Sequence, residues 1–87
     1  MKIEYSNFVH TGTTSVKDGM FTKKTHHADV DVTITTGALF WKKTKIETIA
    51  VYRAFADFWR YADTGDLADN KVSNLASAYS AKHGIEL

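Results

Sequence analysis

An 87-residue chain with a net charge of +1 and no cysteine makes one small domain with no disulfide framework, no thiolate metal site and no cysteine nucleophile. Its composition, 44% hydrophobic and 13% aromatic, excludes a disordered chain, and its near-neutral balance does not demand a nucleic-acid ligand. A chain of this size buries only roughly 60–65% of the surface its unfolded form exposes, so there is little room for a walled pocket.

Met1 to about His10 reads as a first strand, with Ile3, Tyr5 and Phe8 or Val9 as its apolar positions. The acid and polar residues of Met1-Lys2-Ile3-Glu4-Tyr5 stand where a signal peptide needs an apolar run. The longest apolar run, Ala38-Leu39-Phe40-Trp41, is far too short to span a bilayer. Together with the missing cysteines, this points to a soluble cytoplasmic protein that does not engage membranes. Thr11 to Gly19 reads as a polar loop rich in Thr, Ser and Gly, closing on the turn pair Asp18-Gly19.

Phe21 onward enters a second strand, and its clearest part is Ala28-Asp29-Val30-Asp31-Val32-Thr33-Ile34-Thr35, which alternates apolar and polar residues without a break. Successive side chains of a strand point to opposite faces, so Ala28, Val30, Val32 and Ile34 define a dry face and the remainder a wet one. An antiparallel sheet covered on one side only has this pattern. Thr36-Gly37 is the expected hairpin, leading into a third strand that opens with Leu39-Phe40-Trp41.

Ile46 to Ala62 is ambiguous by pattern. Ile46, Thr48, Ile49 and Val51 are β-branched and favour a strand, whereas Val51, Phe55, Phe58 and Ala62 also fit helical spacing. The clustered aromatics favour strand for Ile46–Phe55, a bend near Ala56-Asp57 and a short strand Phe58–Ala62; a helix from about 49 to 62 is the alternative. The tail is plainer. Val72, Leu75, Ala76 and Tyr79 form an i, i+3, i+4, i+7 stripe, Asp69 or Asn70 can cap its start, and Lys82 and His83 suit its last turn. Gly84 supplies a left-handed stop with Ile85 folding back beyond it. The expected architecture is therefore α+β: an antiparallel sheet of about four strands in meander order, with the amphipathic helix Asn70–His83 packed on one face.

Three side-chain constellations are candidates for chemistry. His27, Asp29 and Asp31, with His26 alongside, share a strand face and include metal-ligating types. Ligands in line along one strand splay, however, and His10 or His83 would have to join them, so a solvated polar face is the expectation, with no metal and no cofactor. Phe40-Trp41-Lys42-Lys43-Thr44-Lys45, supported by Lys23-Lys24, places rings beside ammonium groups in the manner of single-strand binders. A tight hairpin at Thr36-Gly37 would set Lys43 opposite Val30 and Lys45 opposite Ala28, in the phase of the dry face, unless a bulge after Trp41 intervenes. Lys42 and Lys43 also suit edge protection.

The third cluster is Phe55, Phe58, Trp59 and Tyr61 with Arg53 and Arg60. One helix cannot cover both faces of the strands, so some of Trp41, Tyr52, Trp59 and Tyr61 must face outward beside the arginines. Trp, Tyr and Arg dominate protein–protein hot spots. The expected contact residues are Trp41, Tyr52, Arg53, Trp59, Arg60 and Tyr61, engaging another protein or a second copy as a homodimer. Catalytic signatures are missing: there is no Gly-x-Ser-x-Gly, no phosphate-cradling glycine loop and no His-Glu-x-x-His.

The expected function is thus non-enzymatic protein binding. In size and style the chain is similar to small phage or mobile-element proteins, inhibitors of bacterial defence systems among them, which implies an inhibitor or adaptor. The second expectation is single-stranded nucleic-acid binding through Phe40, Trp41, Lys42, Lys43 and Lys45. Charge divides along the chain: residues 1–46 hold seven lysines against four acids, and residues 47–87 hold four bases against six acids. A basic and an acidic face would result.

Overall fold

The computed structural model describes residues 1–38 and 40–87. Four strands, β1 (Lys2–Asp18), β2 (Phe21–Ala38), β3 (Trp41–Arg53) and β4 (Arg60–Tyr61), precede one helix, α1 (Asn70–His83). The sheet is an antiparallel meander in the order β1-β2-β3-β4, as the alternation of β2 demands. The molecule is elongated, 60 × 28 × 18 Å, because β1 and β2 run almost its full length as one hairpin.

That length corrects the expected loop at Thr11–Gly19. Thr13 to Asp18 pairs residue by residue with His26 to Phe21, and only Gly19 and Met20 lie between the strands. Thr and Val favour extended backbone, and a ribbon open to water on both faces needs no apolar alternation. Gly19 supplies the positive φ (64°) at the first loop position. The second turn also sits further along than expected. Thr36 and Gly37 are paired strand residues, and Ala38 pairs with Trp41 across the turn. The expected opening of β3 at Leu39 falls outside the described residues; Phe40 is a turn residue and Trp41 opens the strand.

With this register Lys43 lies opposite Thr36 and Lys45 opposite Ile34, not opposite Val30 and Ala28. The parity is nonetheless the expected one. Trp41, Lys43, Lys45, Glu47, Ile49 and Val51 all fall in the phase of Ala28, Val30 and Val32, since directly paired residues share a face. No bulge intervenes between Trp41 and Arg53. The lysines are accommodated because the helix does not reach them.

The core is small: Phe8, Ala28, Val30, Val51, Trp59, Val72 and Ala76 are buried together. Phe8 holds it edge-on, with ring centroids 5.3 Å from Trp59 and 5.5 Å from Tyr79. Two irregularities in β1, between Ser6 and Val9 and between His10 and Gly12, make this possible. Asn7 adopts φ 52°, a region Asn tolerates, and the shift turns both Tyr5 and Phe8 toward the helix. Asn7 Nδ2 also donates to Asp31 Oδ2 at 3.0 Å.

The helix bounds match the sequence expectation. Asp69 Oδ1 accepts from Lys71 N at 2.9 Å, and Gly84 closes the helix at φ 64°, with Ile85 N donating back to Ser80 O at 3.2 Å. Val72 and Ala76 are buried, with Leu75 and Tyr79 packed beside them. The middle segment is strand through Arg53, turns at Ala56 (φ 57°) and pairs again only at Arg60–Tyr61. The alternative helix does not form, and the expected strand Phe58–Ala62 shrinks to two residues. Among the described residues, no helix is long and apolar enough to cross a membrane.

Gly37 carries a further requirement. Its φ is 137°, and a Cβ there would meet the Trp41 carbonyl and stand 2.9 Å from the Lys42 Cα. Gly37→Ala should therefore destabilise the fold by about 1–3 kcal/mol. Gly12 has open space around its Cα, and Gly12→Ala should be near neutral. Urea unfolding of the two variants gives the comparison.

Candidate functional site

The six expected contact residues do not form one surface. Trp59 is only 4% exposed and lies in the core, so the structure corrects its expected role: the ring is spent on folding and is unavailable as an anchor. Residues 54–59 lead Trp59 under α1 because the helix itself offers few large side chains to fill the space against Phe8. Tyr61 is half-buried, with its hydroxyl 3.1 Å from that of Tyr5, and it accepts from Asp69 N at 3.2 Å. This contact holds the start of α1 against the sheet. The hydrogen bond to Tyr61, then burial, pushes the Tyr5 hydroxyl up to about 12.

Both arginines are engaged within the chain. Arg53 donates from Nε to Asp57 O at 3.0 Å and from Nη1 to Leu87 O at 2.7 Å. Arg60 pairs with Asp57 at 2.9 Å and donates from Nη1 to Gly65 O at 2.9 Å. They bind the irregular 54–69 segment and the tail to the sheet, so these donors are engaged within the chain rather than held out to a partner. Tyr52 is half-buried and pairs across to Arg60. Of the six, Trp41 alone is a free aromatic, 63% exposed at the end of the β2–β3 hairpin.

The basic-aromatic set gathers at one end of the sheet, with Trp41, Lys43 and Lys45 in one strand phase and Lys42 in the other. Phe40, 95% exposed, and Trp41 crown the tip, and Lys42, Lys43 and Lys45 follow on exposed strand. Lys45 is bound to Glu47 at 2.6 Å; among the described residues, Lys42 and Lys43 make no ion pair. The other hairpin end repeats the pattern with Met20 and Phe21 exposed near Lys17, Lys23 and Lys24, but here Lys23 is paired with Asp18 at 3.1 Å. The charge split therefore maps onto ends of the molecule rather than onto two faces: lysines gather at the hairpin tips, and Asp57, Asp63, Asp66 and Asp69 gather beside the core.

His27, Asp29 and Asp31 do share the wet face, but they are engaged separately. Asp31 accepts from Asn7 and from Thr48 Oγ1 (2.7 Å), which hold its carboxyl below the ordinary value. His27 Nε2 lies 3.1 Å from the Thr14 hydroxyl. Among the described residues, no three His, Asp or Glu side chains converge as metal ligands.

Sequence reasoning missed two features. At the root of the β1–β2 ribbon, the Thr13 hydroxyl sits 3.0 Å from both His10 Nε2 and His26 Nδ1. Burial, then the nearby positive groups of His10, Arg53 and Lys24, lower the His26 pKa against an opposing pull from Glu86. The register, not the spacing, brings these together. The second feature is a groove of about 310 Å³ at the open end of the sheet, with a floor of Ile3, Tyr5, Val32, Ile49 and Tyr61 and a rim of Glu47, Asp63 and Asp66. Comparison with protein-family models, curated proteins and solved structures finds no match.

Two predictions separate the fold-building residues from the free ones. Trp59→Ala should cost about 3–5 kcal/mol, whereas Phe58→Ala, at a ring 73% exposed, should stay within about 0.5 kcal/mol; thermal melts of both variants check this. The Arg60 guanidinium, then the Phe58 N–H, hold the Asp57 carboxyl below its ordinary value of 3.8. Its contribution is complete above the ordinary carboxylate range and is lost as pH falls through the depressed folded value. Asp57→Asn should lower stability at neutral pH and flatten the acid limb of stability against pH, measured by urea unfolding across that limb.

Proposed function

We propose that this chain is a non-enzymatic protein-binding domain that works through the open end of its sheet, with Trp41 as the anchor. The observation that carries this is the pair Phe40 and Trp41, two large rings held in water at a hairpin tip whose geometry depends on Gly37. Exposed aromatics on a rigid element are efficient anchors, because they bury much area and lose few rotamers. The groove beside Ile49 and Tyr61 extends this apolar surface inward. A domain of this kind acts by occupying a partner's surface, as an adaptor or an inhibitor does, and a chain without cysteine suits a reducing cytoplasm.

A specific observation favours a second reading. Among the described residues, Lys42 and Lys43 make no ion pair beside the two rings, and unpaired lysines beside exposed rings are what single-stranded nucleic acid would use. The two readings separate on charge. On immobilised wild-type chain a polypeptide should be retained that Trp41→Ala loses and that the Lys42, Lys43 and Lys45 triple change to Gln keeps. Fluorescence anisotropy with labelled single-stranded oligonucleotides should show no salt-steep binding. Tight oligonucleotide binding that falls steeply with salt and vanishes in the triple variant would replace the protein-binding reading with the nucleic-acid one.

A further inference from the structure

The partner of this surface can be named from its own chemistry, given the protein-binding reading above. On β3 the side chains in the phase of the dry face run Trp41, Lys43, Lys45, Glu47, Ile49 toward the helix. Beside them lie Ile34 and Val32 on β2, and Ile3 and Tyr5 on β1, with Ile3 paired to Ile34 and Ile34 to Lys45. None of this end is roofed by α1, whose start lies at Tyr61 and Tyr5. The layer above it is open. Its polarity is ordered: cationic and aromatic at the tip, apolar in the middle, acidic at the groove where Glu47, Asp63 and Asp66 form the rim.

We propose that two copies of this chain stack these ends face to face about a two-fold axis over the Ile3–Ile34–Lys45 row. A two-fold axis lying between the sheets and across the strands reverses strand direction while keeping β3 over β3. Counting along β3 from Lys45, Trp41 of one copy then stands over Ile49 of the other, and Lys43 stands over Glu47. Each match occurs twice, as an isologous interface requires. On the axis Ile34 meets Ile34 and Ile3 meets Ile3. Lys45, bound to its own Glu47 at 2.6 Å, lies in the outer strand of this row and can hold its ammonium group in water. Sheets pack about 10 Å apart, the thickness of a helix layer, so the partner's tip continues the layer that α1 begins. Trp41 would then reach the groove, whose acidic rim complements Lys43.

The alternatives fit less well. The Met20–Phe21 tip carries Asp18 beside its lysines, which would oppose the acidic rim. Edge-to-edge pairing along β3 is limited where β4 already occupies the edge, with Ala62 N bonded to Ala50 O at 3.0 Å. The stacked patch spans nine residues of β3 and β2 but only the stretch of β1 from Lys2 onward, at most roughly 30 Å by 14 Å from strand geometry. That is roughly 400 Å² per copy, below the usual area of a permanent interface, so the dimer should be dissociable and dependent on concentration.

Sedimentation equilibrium of the whole chain from micromolar to millimolar concentration tests this, with circular dichroism confirming that each variant is folded. A monomer–dimer equilibrium is expected, weakened by rising salt. Ile3→Glu and Trp41→Ala, both at exposed positions, should each raise the dissociation constant by at least about tenfold. Lys43→Glu alone and Glu47→Lys alone should each weaken the dimer, and the double variant should recover it. A chain that stays monomeric throughout overturns the proposal, as does a dimer indifferent to these four substitutions or one that the double swap does not recover. Protein binding through Trp41 would survive that result if immobilised wild type still retains a different polypeptide that Trp41→Ala loses.

Discussion

One short helix covering a long sheet is the constraint from which the rest of this structure follows. Fourteen helical residues rise about 21 Å, whereas the molecule is 60 Å long. Apolar side chains can therefore be buried only under the middle of the sheet, where Phe8, Val30 and Val51 meet Val72, Ala76 and Trp59. Everything beyond this segment must hold by strand pairing alone. It does so with Thr-rich ribbon at one end and an Ile, Lys and Glu face at the other, neither of which carries a core of its own.

The position of the core in turn depends on two features of sequence that are local and inexpensive. Asn7 takes a left-handed conformation and changes the phase of β1 so that Tyr5 and Phe8 both face the helix. Arg53 and Arg60 then tie the irregular segment between β3 and α1 to the Asp57 carboxylate and to backbone oxygens. These bonds add to β4 and to the Ala62–Ala50 and Ala68–Trp59 backbone bonds in fixing the path that carries Trp59 beneath the helix. Charged side chains in this domain thus build the fold at the middle, while at the ends they form only exposed local pairs such as Lys45–Glu47 and Lys23–Asp18.

The sheet, its order and the whole of α1 were legible in the sequence because each rests on a periodic or local signal: the alternation from Ala28 to Thr35, the stripe from Val72 to Tyr79, the Asp69 cap and the Gly84 stop. The Thr11–Asp18 ribbon was not legible, since a two-sided wet hairpin carries no alternation and its Thr, Ser and Gly content is shared with loops. The turn at Gly37 was misplaced because a glycine demanded by close approach to the Trp41 carbonyl looks the same in sequence as one demanded by a turn. Burial of Trp59 and exposure of Phe58 were beyond the pattern altogether. Neighbours in an irregular segment have no fixed phase, and only the path set by Arg53 and Arg60 decides which ring goes inside.

The same asymmetry explains why large side chains stay free at the tip of β2–β3. A residue under the helix cannot be given to a partner without loss of the fold, and this removes Trp59 from the surface and leaves Tyr61 bound to Tyr5. A residue at the far tip contributes little to the core, so large apolar side chains there are a solubility cost with no folding return. Phe40 and Trp41 sit at such a position, beside lysines and a short distance along the strands from an acidic groove that their own chemistry complements. Covering that end would bury Trp41 and Ile3, which the single helix leaves open, while Met20, Phe21, Phe55 and Phe58 stay exposed elsewhere.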